Sequence, residues 1–171
     1  MEDLKRFIRS IPDFPKKGIL FRDITPLIGD GYAFRETIDV LVEHYRDKEI
    51  DKIVSAEARG FIFSGVLAYV LDAGVVPVRK PGKLPYKTLS EDYELEYGKN
   101  TFEIHRDAVK KGERVLVFDD LLATGGTASA ICGLVERLGG EIMGVAFLIE
   151  LESLGGRKKL KGYDIHTLIK Y

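Results

Sequence analysis

The sequence predicts an α/β domain, with a central, mostly parallel β-sheet flanked by helices on both faces. Short apolar runs recur at 53–56, 75–78, 115–118, 143–149 and 165–169, as strands buried on both faces should read. Stretches with helical spacing of apolar residues lie among them. Polar segments also begin where three of the runs end, at 57–60, 79–83 and 119–127. They should meet at the carboxyl edge of the sheet, where parallel sheets bind ligands.

The elements follow in order. Residues 3–10 read as a helix carrying Leu4, Phe7 and Ile8 on one face, ended by Pro12. Residues 12–31, punctuated by Pro, Gly and Asp, read as an irregular arm. Phe34, Ile38, Leu41, Val42 and Tyr45 predict a helix over 33–48. A strand at 53–56, a helix at 61–72 ending near Gly74 and a strand at 75–78 come next. The alternating stretches 93–97 and 101–105 predict a hairpin that turns at 98–100. After the strand at 115–118, Ala128, Ile131, Cys132, Val135 and Leu138 mark a helix capped by Gly139 and Gly140. The strands at 143–149 and 165–169 complete the sheet.

The chain's 171 residues suit a single domain spanning 1–171, and its 45% hydrophobic and 31% charged residues are an ordinary globular balance. A net charge of −1 gives no global field for nucleic acid, so no nucleic-acid partner is expected. The single cysteine, Cys132, rules out an internal disulfide and reads as a small core residue. No apolar run approaches the roughly 20 residues of a membrane span. The charged start of the chain does not read as a signal peptide, so a cytoplasmic protein with no membrane partner is expected. His44, His105 and His166 are scattered, which offers no His/Cys metal cluster.

The most informative stretch is Val115 to Thr127. It runs from an apolar strand through Asp119 and Asp120 to a small-residue turn, Ala123, Thr124, Gly125 and Gly126, and then a helix start at Thr127. A turn with little side chain lets backbone N–H groups approach a phosphate, and the following helix adds its free N–H groups and positive dipole end. The adjacent carboxylates can accept from sugar hydroxyls or lie near a metal. A phosphate beside a polyol describes a phosphorylated sugar. Strand, acid, glycine turn and helix also occur together in many α/β proteins. The stretch lacks the Gly-Lys-Ser/Thr of a P-loop and the Gly-x-Gly-x-x-Gly of a dinucleotide site. Glu57, Ala58, Arg59 and Gly60 open a helix, where Arg59 could hold phosphate oxygens or simply lie on the surface. Arg79, Lys80, Lys83 and Lys87 form a Pro- and Gly-marked basic loop, either a solvated run or a clamp for an anionic substrate.

The full string 115–127 resembles the phosphoribosyl-pyrophosphate (PRPP) motif of the type I phosphoribosyltransferase family. That resemblance implies a type I phosphoribosyltransferase-like fold, with a flexible hood hairpin and an N-terminal base-binding arm (1–31 and 84–105, with 150–156). It implies that Asp119 and Asp120 hold the ribose and that Ala123, Thr124, Gly125, Gly126 and Thr127 hold the 5′-phosphate. It also implies pyrophosphate binding by Glu57, Ala58, Arg59, Arg79, Lys80 and Lys83, with a cis peptide at Glu57–Ala58. Magnesium would come with PRPP rather than on a protein site, and a homodimer is implied.

Three further strings, at 14–26, 95–104 and 150–156, are similar to the adenine branch of the family. One departure is Lys17, where the arm of that branch usually carries a second Pro. The resemblance implies adenine and PRPP as substrates, with AMP and pyrophosphate as products. Leu20, Phe21, Arg22 and Leu151 would bind the base. Phe21 and Leu151 would sandwich the purine, and the 20–22 backbone would pair with its edge. On spacing alone Phe21 could equally be a core residue. Glu96 would be the general acid and Arg59 the other catalytic residue; as a plain sequence position, Glu96 suits the solvent face of a hairpin. A xanthine-specific enzyme shares the PRPP motif. A non-catalytic PRPP sensor would need an added DNA-binding module, for which 171 residues leave no room.

Overall fold

Parallel strands need crossovers, and the helices Gly60–Leu71 and Gly126–Leu138 occupy two of them. The computed structural model describes residues 2–95 and 98–171. Its elements are α1 (Glu2–Lys5), β1 (Arg9–Pro12), β2 (Leu20–Asp23), α2 (Thr25–Gly29), α3 (Gly31–Tyr45), β3 (Lys52–Ala56), α4 (Gly60–Leu71), β4 (Gly74–Val78), β5 (Thr88–Leu95), β6 (Gly98–His105), β7 (Arg114–Leu122), α5 (Gly126–Leu138), β8 (Glu141–Glu150) and β9 (Ile165–Lys170). Short 3-10 turns lie at Arg46–Lys48, Glu152–Leu154 and Gly156–Leu160.

Five strands form the main sheet in the order β4-β3-β7-β8-β9, and every neighbouring pair in it is parallel. Side-chain alternation divides the core into two layers. Ile53, Leu116, Phe118, Ala146 and Leu148 face α3 and α4. Val54, Ala56, Val115, Val117, Val145 and Phe147 face α5 and the β5–β6 hairpin. Both faces are apolar, which is why these strands read as continuous Val/Ile/Leu runs. Asp30 starts α3 by accepting the backbone N–H groups of Tyr32 and Ala33. Gly139, at φ 88°, ends α5 in the left-handed conformation.

Several expectations need correction. The helix expected over 3–10 is one short turn, followed by β1, which pairs antiparallel with β2. Leu4 and Ile8 are buried as the spacing requires. Residues 9–12, however, take their backbone partners from 20–23, a pairing that local periodicity does not register. The arm expected to be irregular contains β2 and α2. In the hairpin, Leu95 pairs with Gly98, so residues 98–100 belong to a strand rather than to the turn. β7 continues to Leu122, so Asp119 and Asp120 lie inside the strand rather than beyond it. His44 and His166 are not scattered: their rings stack at 3.9 Å. Even so, the described residues contain no group of three or more His, Cys, Asp or Glu suited to a metal ion. Cys132 is a buried core residue, its thiol pushed up to about 12 by burial. Among the described residues no helix is long and apolar enough to cross a membrane.

Candidate active site

The chain leaves β3 toward β4 on one side of the sheet and continues through β7, β8 and β9 on the other. The order therefore reverses between β3 and β7. A crevice opens at the carboxyl ends of strands at such a reversal. The two segments that border it are 57–60 after β3 and 119–127 at the end of β7.

At the end of β7 the strand presents Asp119 and Asp120 in succession. Asp120 is 6% exposed, and Asp119 is half-buried. The Asp120 N–H donates to Asp119 Oδ1 at 2.9 Å. Burial pushes the Asp119 carboxyl well above its ordinary value, and the neighbouring Asp120 adds to the rise. Burial also raises Asp120, against the opposing pull of Arg59. The chain then turns through Ala123 and Thr124 into Gly125, whose φ of 79° favours glycine. No side chain caps the first turn of α5. Its free N–H groups and dipole suit an anion, and Thr124 and Thr127 add half-buried hydroxyls. A cavity of about 130 Å³ lies there, lined by residues 121–128 and Phe147.

The three polar segments meet through ion pairs. Arg59, at the start of α4, donates from Nε to Asp120 at 2.8 Å. Glu57 accepts from Arg79 at 2.9 and 3.0 Å and from the Lys80 backbone N–H at 2.8 Å. The Lys80 N–H and then Arg79 hold the Glu57 carboxyl below its ordinary value. Glu57 therefore fastens the basic loop to β3, leaving Lys80 and Lys83 exposed. Its carboxylate bonds that loop, beside the Ala58 and Arg59 positions also expected at pyrophosphate. The Glu57–Ala58 peptide is cis.

The base-binding candidates gather in a cavity of about 520 Å³. Leu20, Phe21 and Arg22 from β2 line one side, Leu151 and Leu154 another, and Leu121, Ala123 and Thr124 complete it. Phe21 is not a core residue; it is half-buried, packs edge-on against Phe14 at 5.1 Å and has the Arg59 guanidinium 5.5 Å from its ring. Leu121, Ala123 and Thr124 line both cavities, so the larger, mainly apolar cavity adjoins the glycine turn. Despite Lys17, the arm is bonded: the Gly18 N–H donates to Asp13 Oδ1 at 2.7 Å. Glu96 lies outside the described residues.

The phosphoribosyl transferase domain family matches residues 31–169. A curated adenine phosphoribosyltransferase from Thermotoga petrophila is 61% identical over 169 residues, 99% of each chain. The chain belongs to the adenine phosphoribosyltransferase family. A crystal structure of a family member from Thermoanaerobacter pseudethanolicus superposes with a TM-score of 0.96 at 57% identity, covering 99% of both chains. The Saccharomyces cerevisiae family member, complexed with adenine and an imino-altritol bisphosphate, superposes at 0.93 with 40% identity over 97% of this chain and 96% of that one.

Contacts around the site involve residues to which the sequence reading gave no role. Gly156 packs directly on the glycine turn: a Cβ there would sit 2.3 Å from the Ala123 carbonyl oxygen. Arg157 grips buried Glu150 at 2.7 and 2.8 Å, anchoring the segment that bears Leu151. Tyr93, on β5, stacks on Phe102 at 4.7 Å with Asn100 and Thr127 as its hydroxyl's neighbours. A Gly-Gly pair in a loop was the only sequence signal for any of these. The others join residues distant in sequence.

Proposed function

We propose that this chain transfers the 5-phosphoribosyl group of PRPP to N9 of adenine, forming AMP and pyrophosphate in purine salvage. One observation carries the reading: the cavity lined by Phe21 and Leu151 shares Leu121, Ala123 and Thr124 with the cavity at the glycine turn, just beyond Asp119 and Asp120 on the same strand. Room for a base thus adjoins groups suited to a ribose 5-phosphate. The name shared with relatives at 61% identity supports the choice of adenine, as does the adenine complex of the yeast relative.

In this reading the turn from Ala123 to Thr127 binds the 5′-phosphate, and Asp119 and Asp120 accept from the ribose hydroxyls. The ion pair of Asp120 with Arg59 balances that carboxylate until substrate enters. Arg59, Arg79, Lys80, Lys83 and the Ala58 backbone face pyrophosphate, with Glu57 holding Arg79 in place. N9 forms a bond to C1 as the C1–oxygen bond breaks; pyrophosphate leaves with the electron pair, and the proton displaced from N9 leaves with it. Orientation and electrostatics supply most of the acceleration. Glu96 is our proposed acid, acting toward N7 as N9 attacks. The Leu20–Arg22 backbone offers both a donor and an acceptor to the base edge, as an amino-purine requires.

Magnesium is proposed as the metal, carried by PRPP. The oxygen donors of Asp119 and Asp120 suit a hard cation. When bound, the ion supplies positive charge against the phosphates. The arm (1–31), the hood (84–105) and the loop 150–156 are proposed as the substrate-covering parts of a single domain. A homodimer is proposed as well. α4 is apolar nearly all round, and Ile62, Tyr69 and Val70 stand exposed on its outer face, as does Val75 on the edge strand β4. The cytoplasm is our proposed compartment, consistent with an ordinary globular composition.

The test is incubation with magnesium, PRPP and, separately, adenine, hypoxanthine, guanine or xanthine, with nucleotides resolved by chromatography. AMP as the dominant product is expected. IMP, GMP or XMP in its place would overturn the base assignment, and binding of PRPP without turnover would favour a sensor.

A further inference from the structure

We infer that Tyr171 is a positioning residue for the purine base, joining the two walls of the base cavity from behind. The inference rests on the adenine reading above and assigns Tyr171 a part in it. Two independent connections lead from this residue. Its ring lies beneath the Arg22 guanidinium, 3.7 Å from guanidinium carbon to ring centroid, a close cation–π contact. Arg22 also donates to Ser10 on β1, so its guanidinium is tied both to β1 and to the Tyr171 ring. Arg22 shares the β2 wall of the cavity with Leu20 and Phe21.

The second connection is through the main chain. The Tyr171 N–H donates to the Glu150 carbonyl, and the Tyr171 carbonyl accepts from the Glu152 N–H, both at 2.9 Å. These bonds flank Leu151, whose own N–H donates to the Leu122 carbonyl at 2.9 Å. One residue thus fixes the Leu151 wall by backbone bonds and the Phe21 wall through Arg22. The width of the slot between them decides how well a flat base is gripped. Tyr171 itself does not line the cavity, so it acts through its neighbours. The phosphate turn is reached only indirectly, which predicts an effect confined to the base.

The test compares the unaltered chain with Tyr171→Phe, Tyr171→Leu and Arg22→Gln, measuring kcat, KM for adenine, KM for PRPP and melting temperature. AMP formation by the unaltered chain secures the underlying reading first; its absence would overturn both. Tyr171→Leu keeps the backbone bonds and removes the aromatic face. It is expected to raise the adenine KM about five- to thirtyfold, the size of one well-formed cation–π contact, with the PRPP KM within about twofold. Tyr171→Phe should match the unaltered chain. Arg22→Gln should reproduce the Leu effect, and the double variant should be no worse than either single one. An adenine KM unmoved in both single variants would overturn the inference. So would a parallel rise in both KM values, or a Tyr171→Phe variant as impaired as Tyr171→Leu.

Discussion

A methyl group added at Gly156 tests the contact between the late loop and the phosphate turn. It would stand 2.3 Å from the Ala123 carbonyl oxygen, 2.8 Å from Leu122 Cδ1 and 3.1 Å from the Gly125 nitrogen. Leu122 can rotate, but the carbonyl belongs to the backbone. Relief to ordinary contact needs about 1 Å of separation between loop and turn. Overpacking of this kind costs about 1–3 kcal/mol. For a domain of this size each kcal/mol lowers the melting temperature by about 2–4 °C, so Gly156→Ala should melt about 2–12 °C below the unaltered chain. Shifting the turn by that distance should lower kcat/KM for PRPP roughly ten- to hundredfold. Gly155→Ala is the control. Its nearest neighbour would be the flexible Lys158 side chain at 3.5 Å, so only the strain of a φ of 62° applies, about 1–2 kcal/mol. That variant should lose stability and keep its PRPP kinetics. Calorimetry and steady-state rates decide the matter: unchanged melting and unchanged kcat/KM in Gly156→Ala would refute the close approach.

Asp119→Asn should lower kcat/KM for PRPP by roughly ten- to hundredfold, the worth of a charged hydrogen bond, while raising the melting temperature at neutral pH. The Asp119 carboxyl is raised on folding by burial and by Asp120, so the folded state binds its proton more readily than the unfolded chain. The gain should therefore shrink as pH falls through the folded value, and a variant destabilised at pH 7.5 would contradict this. Glu57→Gln should cost about 1–2 kcal/mol at pH 7, discounted for the exposure of Arg79. Because its carboxyl is lowered by the Lys80 N–H and Arg79, that contribution exists above the ordinary carboxylate value and disappears as pH falls through the folded one. Chemical denaturation at pH 7 and pH 3 checks it, and an equal loss at both would count against the charge. His166 is depressed by burial and then by His44, with Asp164 opposing and Lys48 and Arg157 adding to the depression. The unfolded chain therefore takes up that proton first, and stability should fall as pH drops below about 6.5. His166→Gln should flatten the melting curve between pH 7.5 and 5.5; an unchanged slope would assign the loss to other groups.

Much of the site was legible because its chemistry is written in short, contiguous pieces. The turn from Ala123 to Thr127 needs small residues, one of them at positive φ, and the sequence displays them side by side. Arg59 and the basic loop follow strands whose apolar runs are plain, so their meeting at one edge was predictable, and the Arg59–Asp120 pair bears it out. The misread parts share a cause. Leu4 and Ile8 have helical spacing and are indeed buried, so the segment reads as helix, while the hydrogen bonds that make 9–12 a strand come from 20–23. Gly98 to Asn100 looked like a turn by composition, yet they pair with 93–95.

The sequence by itself determined the alternation of buried strands and covering helices, the place of the glycine turn after β7 and the family strings in the arm and late loop. These depend on periodicity and on intrinsic conformational preference, which act over a few residues. Only the tertiary structure decided that Glu57 grips Arg79, that Gly156 packs on the turn, that His44 stacks on His166 and that Tyr171 lies under Arg22. Each of these contacts joins residues at least 22 positions apart or crosses between loops. Their geometry depends on how the whole sheet twists and on which backbone groups remain to be paired once the strands have formed, and no local pattern encodes that.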